Sequence, residues 1–238
     1  MNEFERVRRK ILISSGKPSY AILTNNSSVN FELENTPMSN FQVSSATVTI
    51  NGTSYSKSLI KEIYFGSSYE QVTSIGNNFI RGYAAITSVD LSAFVNVTSI
   101  GYNFLYECSN LTYVNLSAFR KVNSINYSFL YGCYSLPSVD LSAFVNVTSI
   151  GNSFITNCIN ITSVDLSNST KIENISVGFI NYCASMTTLH MGTIVPPTNG
   201  GQLFQGSSIQ NIYVPSQSVN AYKTAAGWST FASIISAI

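Results

Sequence analysis

The chain has 238 residues, of which 45% are hydrophobic and only 10% charged, with a formal net charge of +1. That balance argues against a nucleic-acid phosphate backbone as partner, which calls for a clustered basic face, and so dense an apolar content argues against disorder. No apolar run reaches the ~18 residues of a membrane span, and none behind the basic start reaches the ~7–15 of a signal-peptide core. Neither an anchor nor an export leader is expected.

In chain order, residues 1–17 form a separate leader. Within NEFERVRRKILI, Phe4, Val7 and Ile11 recur at helical spacing with Arg6, Arg8 and Arg9 among them. This predicts a short amphipathic helix or a solvated tail. The same six residues, Phe4, Arg6, Val7, Arg8, Arg9 and Ile11, would be the contact set if the leader docks onto a larger assembly. The leader resembles the short Arg-rich starts of some phage tail-associated proteins. That resemblance implies a virion structural part such as a tail-fibre adhesin.

Residues 18–59 change character. Ala21–Leu23, Val29–Leu33 and Thr47–Ile50 are short strand-like runs, and Asn51-Gly52 is a strong two-residue hairpin turn. They predict a β-rich N-terminal cap. Residues 60–214 are then dominated by a block of 25 residues, clean at Ile86–Asn110 and repeated from Leu111, Leu136 and Ile161. Ile60–Ala85 is an imperfect first copy with one residue inserted near Ser67–Gln71, and a sixth copy from Met186 shortens at Pro196, Pro197, Gly200 and Gly201. A fixed period in this range means a solenoid, in which each coil buries its apolar face only against its neighbours. Residues 215–238 leave the pattern. Ser218–Ala226 and Ser229–Ile238 read as two short helices around Gly227-Trp228, a C-terminal cap with the single Trp sealing the last coil.

Within a coil, Val89 and Leu91 alternate with Ser88, Asp90 and Ser92, which predicts a strand with Val and Leu inward. Val97–Ile100 reads as a second extended piece, and Gly101 suits a turn or a left-handed position. Phe104, Leu105, Cys108 and Leu111 follow at helix-like spacing and predict a short helical or 3₁₀ segment. The expected fold is a β-rich α/β solenoid of about six coils. It should have narrow parallel sheets, short helices and a cap at each end.

The pattern S-I-G-x-x-F-x-x-x-C-x-x-L-x-x-V-x-L, here Ser99, Ile100, Gly101, Phe104, Cys108, Leu111, Val114 and Leu116, resembles the BspA-like leucine-rich repeat. The ending IYVPSQSVNAYKTAAGWSTFASII resembles the ending common in that family. The central coils depart from it in being 25 residues long, and in carrying Asn103-Phe104 where the family has Ala-Phe. The resemblance implies a leucine-rich-repeat fold, a binding or adhesive activity, and a cell-surface or extracellular location.

Three columns emerge when the coils are aligned. Cys108, Cys133, Cys158 and Cys183 share one position, which Tyr83 fills in the first copy. A column that accepts Tyr is core filling, and thiolates spread along an axis do not converge on a metal. Reduced, buried thiols and no metal site are expected. On the outward side of the first strand stand Tyr64, Asp90, Asn115, Asp140, Asp165, His190 and Tyr213, the candidate ligand-binding face. A weaker neighbouring column holds Tyr113 among Ser88, Ser138, Ser163 and Thr188. Asp140 and Asp165 on adjacent rungs could approach a glycosidase pair or hold calcium, but a flat exposed sheet supplies no cleft. No nucleophile–His–Asp spacing or phosphate loop is present. The expectation is therefore a non-enzyme without cofactor, whose partners are a cell-surface protein or glycan, or virion proteins.

Overall fold

The computed structural model describes residues 17–43 and 45–238; the leader contact set Phe4, Arg6, Val7, Arg8, Arg9 and Ile11 lies outside them. The repeat winds into a stack of coils in which equivalent residues pair in register, one coil upon the next. Ile63 pairs with Val89 and Val89 with Val114, all in parallel. Their side chains are buried while the residues between them face out, as the period-two alternation of a half-buried strand requires.

The first sheet comes in two pieces. Ile60–Tyr64, Ser88–Asp90 and Tyr113–Asn115 form one, and Ser163–Leu166, Thr188–Met191, Asn211–Val214 and Ile235–Ala237 form the other. The gap falls on residues 138–140. Pro137 accounts for its N-terminal side. In the same place Thr87, Thr112 and Thr187 each donate a backbone N–H to the preceding coil, at 2.7–2.9 Å. Proline has no N–H to give. The second sheet has no such interruption: Ser74–Ile75, Ser99–Ile100, Ser124–Ile125, Ser149–Ile150, Asn174–Ile175 and Thr198–Asn199 run as six parallel rungs.

The segment expected to be helical is not. Residues 101–110 form successive turns, and in the next three coils a third narrow sheet appears, Leu130–Tyr131, Ile155–Thr156 and Ile180–Asn181. Left-handed residues are the reason. Asn103 (φ 55°), Leu105 (φ 54°) and Glu107 (φ 57°) cannot continue a right-handed helix, and Asn78, Ser128, Ser153 and Gly178 repeat the first of these positions before each phenylalanine. Gly101 is likewise not the left-handed residue. A Cβ there would stand 2.6 Å from the backbone nitrogen of Asn77, so glycine is needed for close approach of two coils.

The interior is a set of ladders. Phe79, Phe104, Phe129, Phe154 and Phe179 stack with centroids 4.8–5.7 Å apart. Phe94, Phe119 and Phe144 form a second column beside them. All four cysteines are free and buried. Each thiol points at a carbonyl of the preceding coil, Cys108 at Ile80 and Cys158 at Leu130, both at 2.9 Å. Burial pushes the Cys108 thiol up to about 12, so this thiol is protonated and unreactive at neutral pH.

Both ends are closed by substitutions in these columns. At the N-terminal end Ser19–Leu23 pairs antiparallel with Ser28–Phe31 and with Ile60–Tyr64, which covers the first coil's edge. The hairpin Thr47–Ile50/Thr53–Ser56 turns on Asn51 (φ 49°) and Gly52 (φ 74°) as expected. Phe31, Phe41 and Tyr69 gather around Phe65 at 4.9–5.7 Å. Lys57 is buried at the head of the cysteine column, its ammonium bonded to the Val43 and Arg81 carbonyls at 2.7 Å and set 4.8 Å over the Tyr83 ring.

At the C-terminal end Ser169 stands where Phe144 would be followed by another phenylalanine, and Thr193 is buried in the next coil. Tyr222, from the helix Val219–Thr224, is fully buried and bonded to the Thr193 hydroxyl. Trp228 seals the last coil, fully buried, with Nε1 donating to the Pro197 carbonyl at 2.9 Å. The second expected helix is the 3₁₀ turn Ser229–Ile234, and Ile235–Ala237 then adds a parallel strand to Asn211–Val214.

Candidate functional site

The outward residues of the first sheet form one column, because the register of the strands brings them together. Tyr64 pairs with Asp90, Asp90 with Asn115, Asp165 with His190 and His190 with Tyr213. Asp140 occupies the same position in the coil where the sheet is interrupted. Tyr113 stands beside the column and is exposed.

The carboxylates and the amide have local work. Asp90, Asp140 and Asp165 each accept the backbone N–H two residues on, from Ser92, Ser142 and Ser167 at 2.8–2.9 Å. Asn115 Oδ1 does the same for Ser117 at 3.1 Å while its amide donates to Asp90 at 3.0 Å. These are Asx turns, in which the side chain closes the corner that leads out of the strand. The hydroxyl and N–H of Ser142 hold the Asp140 carboxyl below its usual range. A general acid needs its pKa raised. Among the described residues no group of three or more His, Cys, Asp or Glu side chains could hold a metal ion.

The column ends in aromatic pairs. Tyr20 stacks on Tyr64 at 4.5 Å, and Tyr64 donates to Glu62 at 2.9 Å. Burial, together with the bond to Glu62, raises the Tyr64 phenol to about 12. At the other end His190 and Tyr213 lie 4.8 Å apart. The face is thus a polar strip of seven positions, with rings at both ends and acid or amide groups between.

Sequence reasoning passed over a second surface. On the flank that carries the third sheet, Tyr102 stacks on Tyr127 at 4.7 Å and Tyr106 on Tyr131 at 4.6 Å. The Arg81 guanidinium covers the open side of Tyr106 at 5.0 Å. Tyr127, Tyr134, Ile159, Val177 and Tyr182 are all exposed on this flank. The signal was present in the sequence as tyrosines repeated one full period apart, GYNFLYE followed by NYSFLYG.

A model of the BspA type leucine rich repeat region matches in six copies, over residues 27–145 and 98–227. Among solved structures, the chain is similar to a leucine-rich repeat protein of T. pallidum, with 14% identity, 89% of this chain and 90% of that one covered, and a TM-score of 0.48. It is also similar to a leucine rich cell surface protein of Faecalibacterium prausnitzii, with 13% identity, 94% and 93% covered, and a TM-score of 0.24. Both scores are low, so the assignment of the chain rests on the family model. No curated protein matches the sequence.

Proposed function

We propose that this chain, which belongs to the BspA-type leucine-rich repeat family, is a non-enzymatic binding and adhesion module that recognises a protein or carbohydrate surface through the outward column of its first sheet. The observation that carries this reading is the in-register alignment of Tyr64, Asp90, Asn115, Asp165, His190 and Tyr213, with Asp140 between. It supplies a long, flat, polar surface ended by rings, the kind of surface that takes an extended partner. The lowered Asp140 carboxyl supports a binding role over glycoside hydrolysis.

The test follows from the Asx turns. Because Asn115 closes its corner as the aspartates do, Asp140→Asn with Asp165→Asn removes two charges and keeps the turns. The wild type and this double variant are compared on a panel of immobilised surface proteins and glycans. At least one retained ligand is expected to lose about tenfold in affinity at unchanged melting temperature. If every retained ligand binds both proteins equally, the face is wrongly assigned.

A second reading rests on the basic, amphipathic leader with Phe4, Arg6, Val7, Arg8, Arg9 and Ile11. It makes the chain a virion component docked through that segment. Deleting residues 1–13 should then abolish incorporation into purified particles while the solenoid stays folded. Unchanged incorporation contradicts it.

A further inference from the structure

The tyrosine stacks of the flank stop abruptly. Tyr102 covers one face of Tyr127, and Tyr106 covers one face of Tyr131, with planes within 8° of parallel. Where the next coil would continue them it places Asn152 and Thr156. The remaining ring faces of Tyr127 and Tyr131 therefore look onto a coil of small polar side chains. One coil further on, Tyr182 is left-handed (φ 54°) and 48% exposed, with its ring laid against Gly206, where a Cβ would stand 2.5 Å from Cδ1. That ring rests on the following coil, and it is Tyr127 and Tyr131 that border residues 152–157.

The floor beside these two rings is polar. Asn157 reaches back to donate to the Tyr131 hydroxyl at 3.0 Å. Thr156 is 5% exposed, and its hydroxyl has no hydrogen-bond partner in the protein, an arrangement that is uncommon for a buried polar group. Asn152 is exposed.

Charge narrows the occupant. The three coil segments Ser124–Leu136, Ser149–Ile161 and Asn174–Met186 contain no Asp, Glu, Lys or Arg. Arg81 and Glu107 lie beyond the N-terminal end of this zone. Such a surface offers nothing to nucleic acid, to a sulfated polysaccharide or to a charged peptide. It offers ring faces and amide and hydroxyl groups without charge. A pyranose has the same two sides: C–H faces that lie on aromatic rings, and a rim of hydroxyls that pair with amides.

We infer that the step formed by Tyr127, Tyr131, Asn152, Thr156 and Asn157 is a binding site for a neutral glycan, separate from the sheet face. A sugar ring lies against the open face of Tyr127 or Tyr131, and its hydroxyls pair with Asn152 and Asn157. The stacked tyrosines above are a rigid support. Their inner faces are already occupied, so only the terminal rings are free to take a ligand.

The experiment uses immobilised cellohexaose, chitohexaose and mannohexaose, with heparin as the charged control. The full chain, Tyr127→Ala, Tyr127→Phe and the Asp140→Asn/Asp165→Asn double variant are each titrated, with melting temperature and sedimentation recorded. At least one neutral hexasaccharide is expected to bind and heparin is not. Tyr127→Ala should lose about tenfold or more, and Tyr127→Phe should stay within about threefold. The double aspartate variant should bind as the wild type does, which separates this site from the sheet face. The inference is overturned if no neutral hexasaccharide binds or if heparin binds as well as they do. It is equally overturned if folded Tyr127→Ala retains full affinity, or if sedimentation shows that the wild type buries this flank by pairing with a second copy that Tyr127→Ala releases.

Discussion

On the sheet face, Asp90, Asn115, Asp140 and Asp165 each turn an oxygen onto the backbone of their own coil. On the flank, Tyr102 and Tyr127, or Tyr106 and Tyr131, turn onto each other across coils and then stop. The first surface repeats over four consecutive coils because those coils close the same corner. The second repeats for two rungs only, and no corner depends on it. A column that closes a corner in each of its coils is first of all a structural requirement, and any ligand must use what that requirement leaves over. A column that begins and ends within the solenoid is not demanded by the fold.

The ladder beneath both surfaces gives the largest effect. Phe129 is fully buried between Phe104 and Phe154, so Phe129→Ala should cost about 3–5 kcal/mol in chemical denaturation. Both surfaces should fail together. A variant that loses only one of them would show that the coils do not fold as a unit. Next comes the closing of the column by the cap. Ser169 is fully buried where earlier coils carry phenylalanine, and Tyr222 comes in from the C-terminal helix beyond it. Ser169→Phe should overpack the column and cost about 1–3 kcal/mol, read as earlier melting and new exposure of Trp228 by fluorescence. If Ser169→Phe is stabilising, the column is not closed by the cap as described.

The corners of the sheet face are smaller. Asp140→Ala removes the acceptor for the Ser142 N–H and should cost about 1 kcal/mol, while Asp140→Asn should be close to neutral. Equal losses in the two variants would mean that charge, and not the turn, maintains the column. On the flank, Glu107 sits in a left-handed conformation at φ 57° where the neighbouring coils use Gly82 and Gly132. Glu107→Gly should relieve about 1 kcal/mol of backbone strain, a gain with no counterpart on the sheet face.

Alkaline pH reports on the interior and on Tyr64 at the end of the sheet face, whose phenol is also raised to about 12. Burial raises the Cys108 thiol from 9.0 to about 12 and, with it, the Tyr222 phenol from 10.0 to about 12. Groups whose folded pKa is raised in this way give stability that is complete below the unfolded value, so it is lost as the pH climbs from about 9 toward 12. Lys57 runs the other way. Burial lowers its ammonium from 10.5 to about 8, so its penalty on folding is complete below pH 8 and lifts as the pH rises toward 10.5. Stability should therefore rise slightly from pH 8 and then fall above about pH 9–10. In Lys57→Met the early rise should disappear.

The period, the inward Val and Leu and the buried cysteines were legible because a solenoid writes each rung into the sequence at fixed spacing. The third sheet was not. Phe104, Leu105, Cys108 and Leu111 fit a helix by spacing alone, and nothing in the one-letter pattern shows that Asn103 and Glu107 are left-handed. Pro137 was visible, yet its effect depends on knowing that Thr87, Thr112 and Thr187 donate at that place. The Asx turns were spelled out as Asp-Leu-Ser, but that string fits a surface strip and a corner equally well.

The sheet-face claim is tested most directly by amide hydrogen exchange, measured with and without each protein that the chain retains from the surface panel. The account predicts slowed exchange confined to residues 88–92, 113–117, 138–142 and 163–167 for at least one such complex, and its loss in Asp140→Asn/Asp165→Asn. Protection that falls only on other parts of the solenoid, with those four stretches unchanged in every complex, would contradict it.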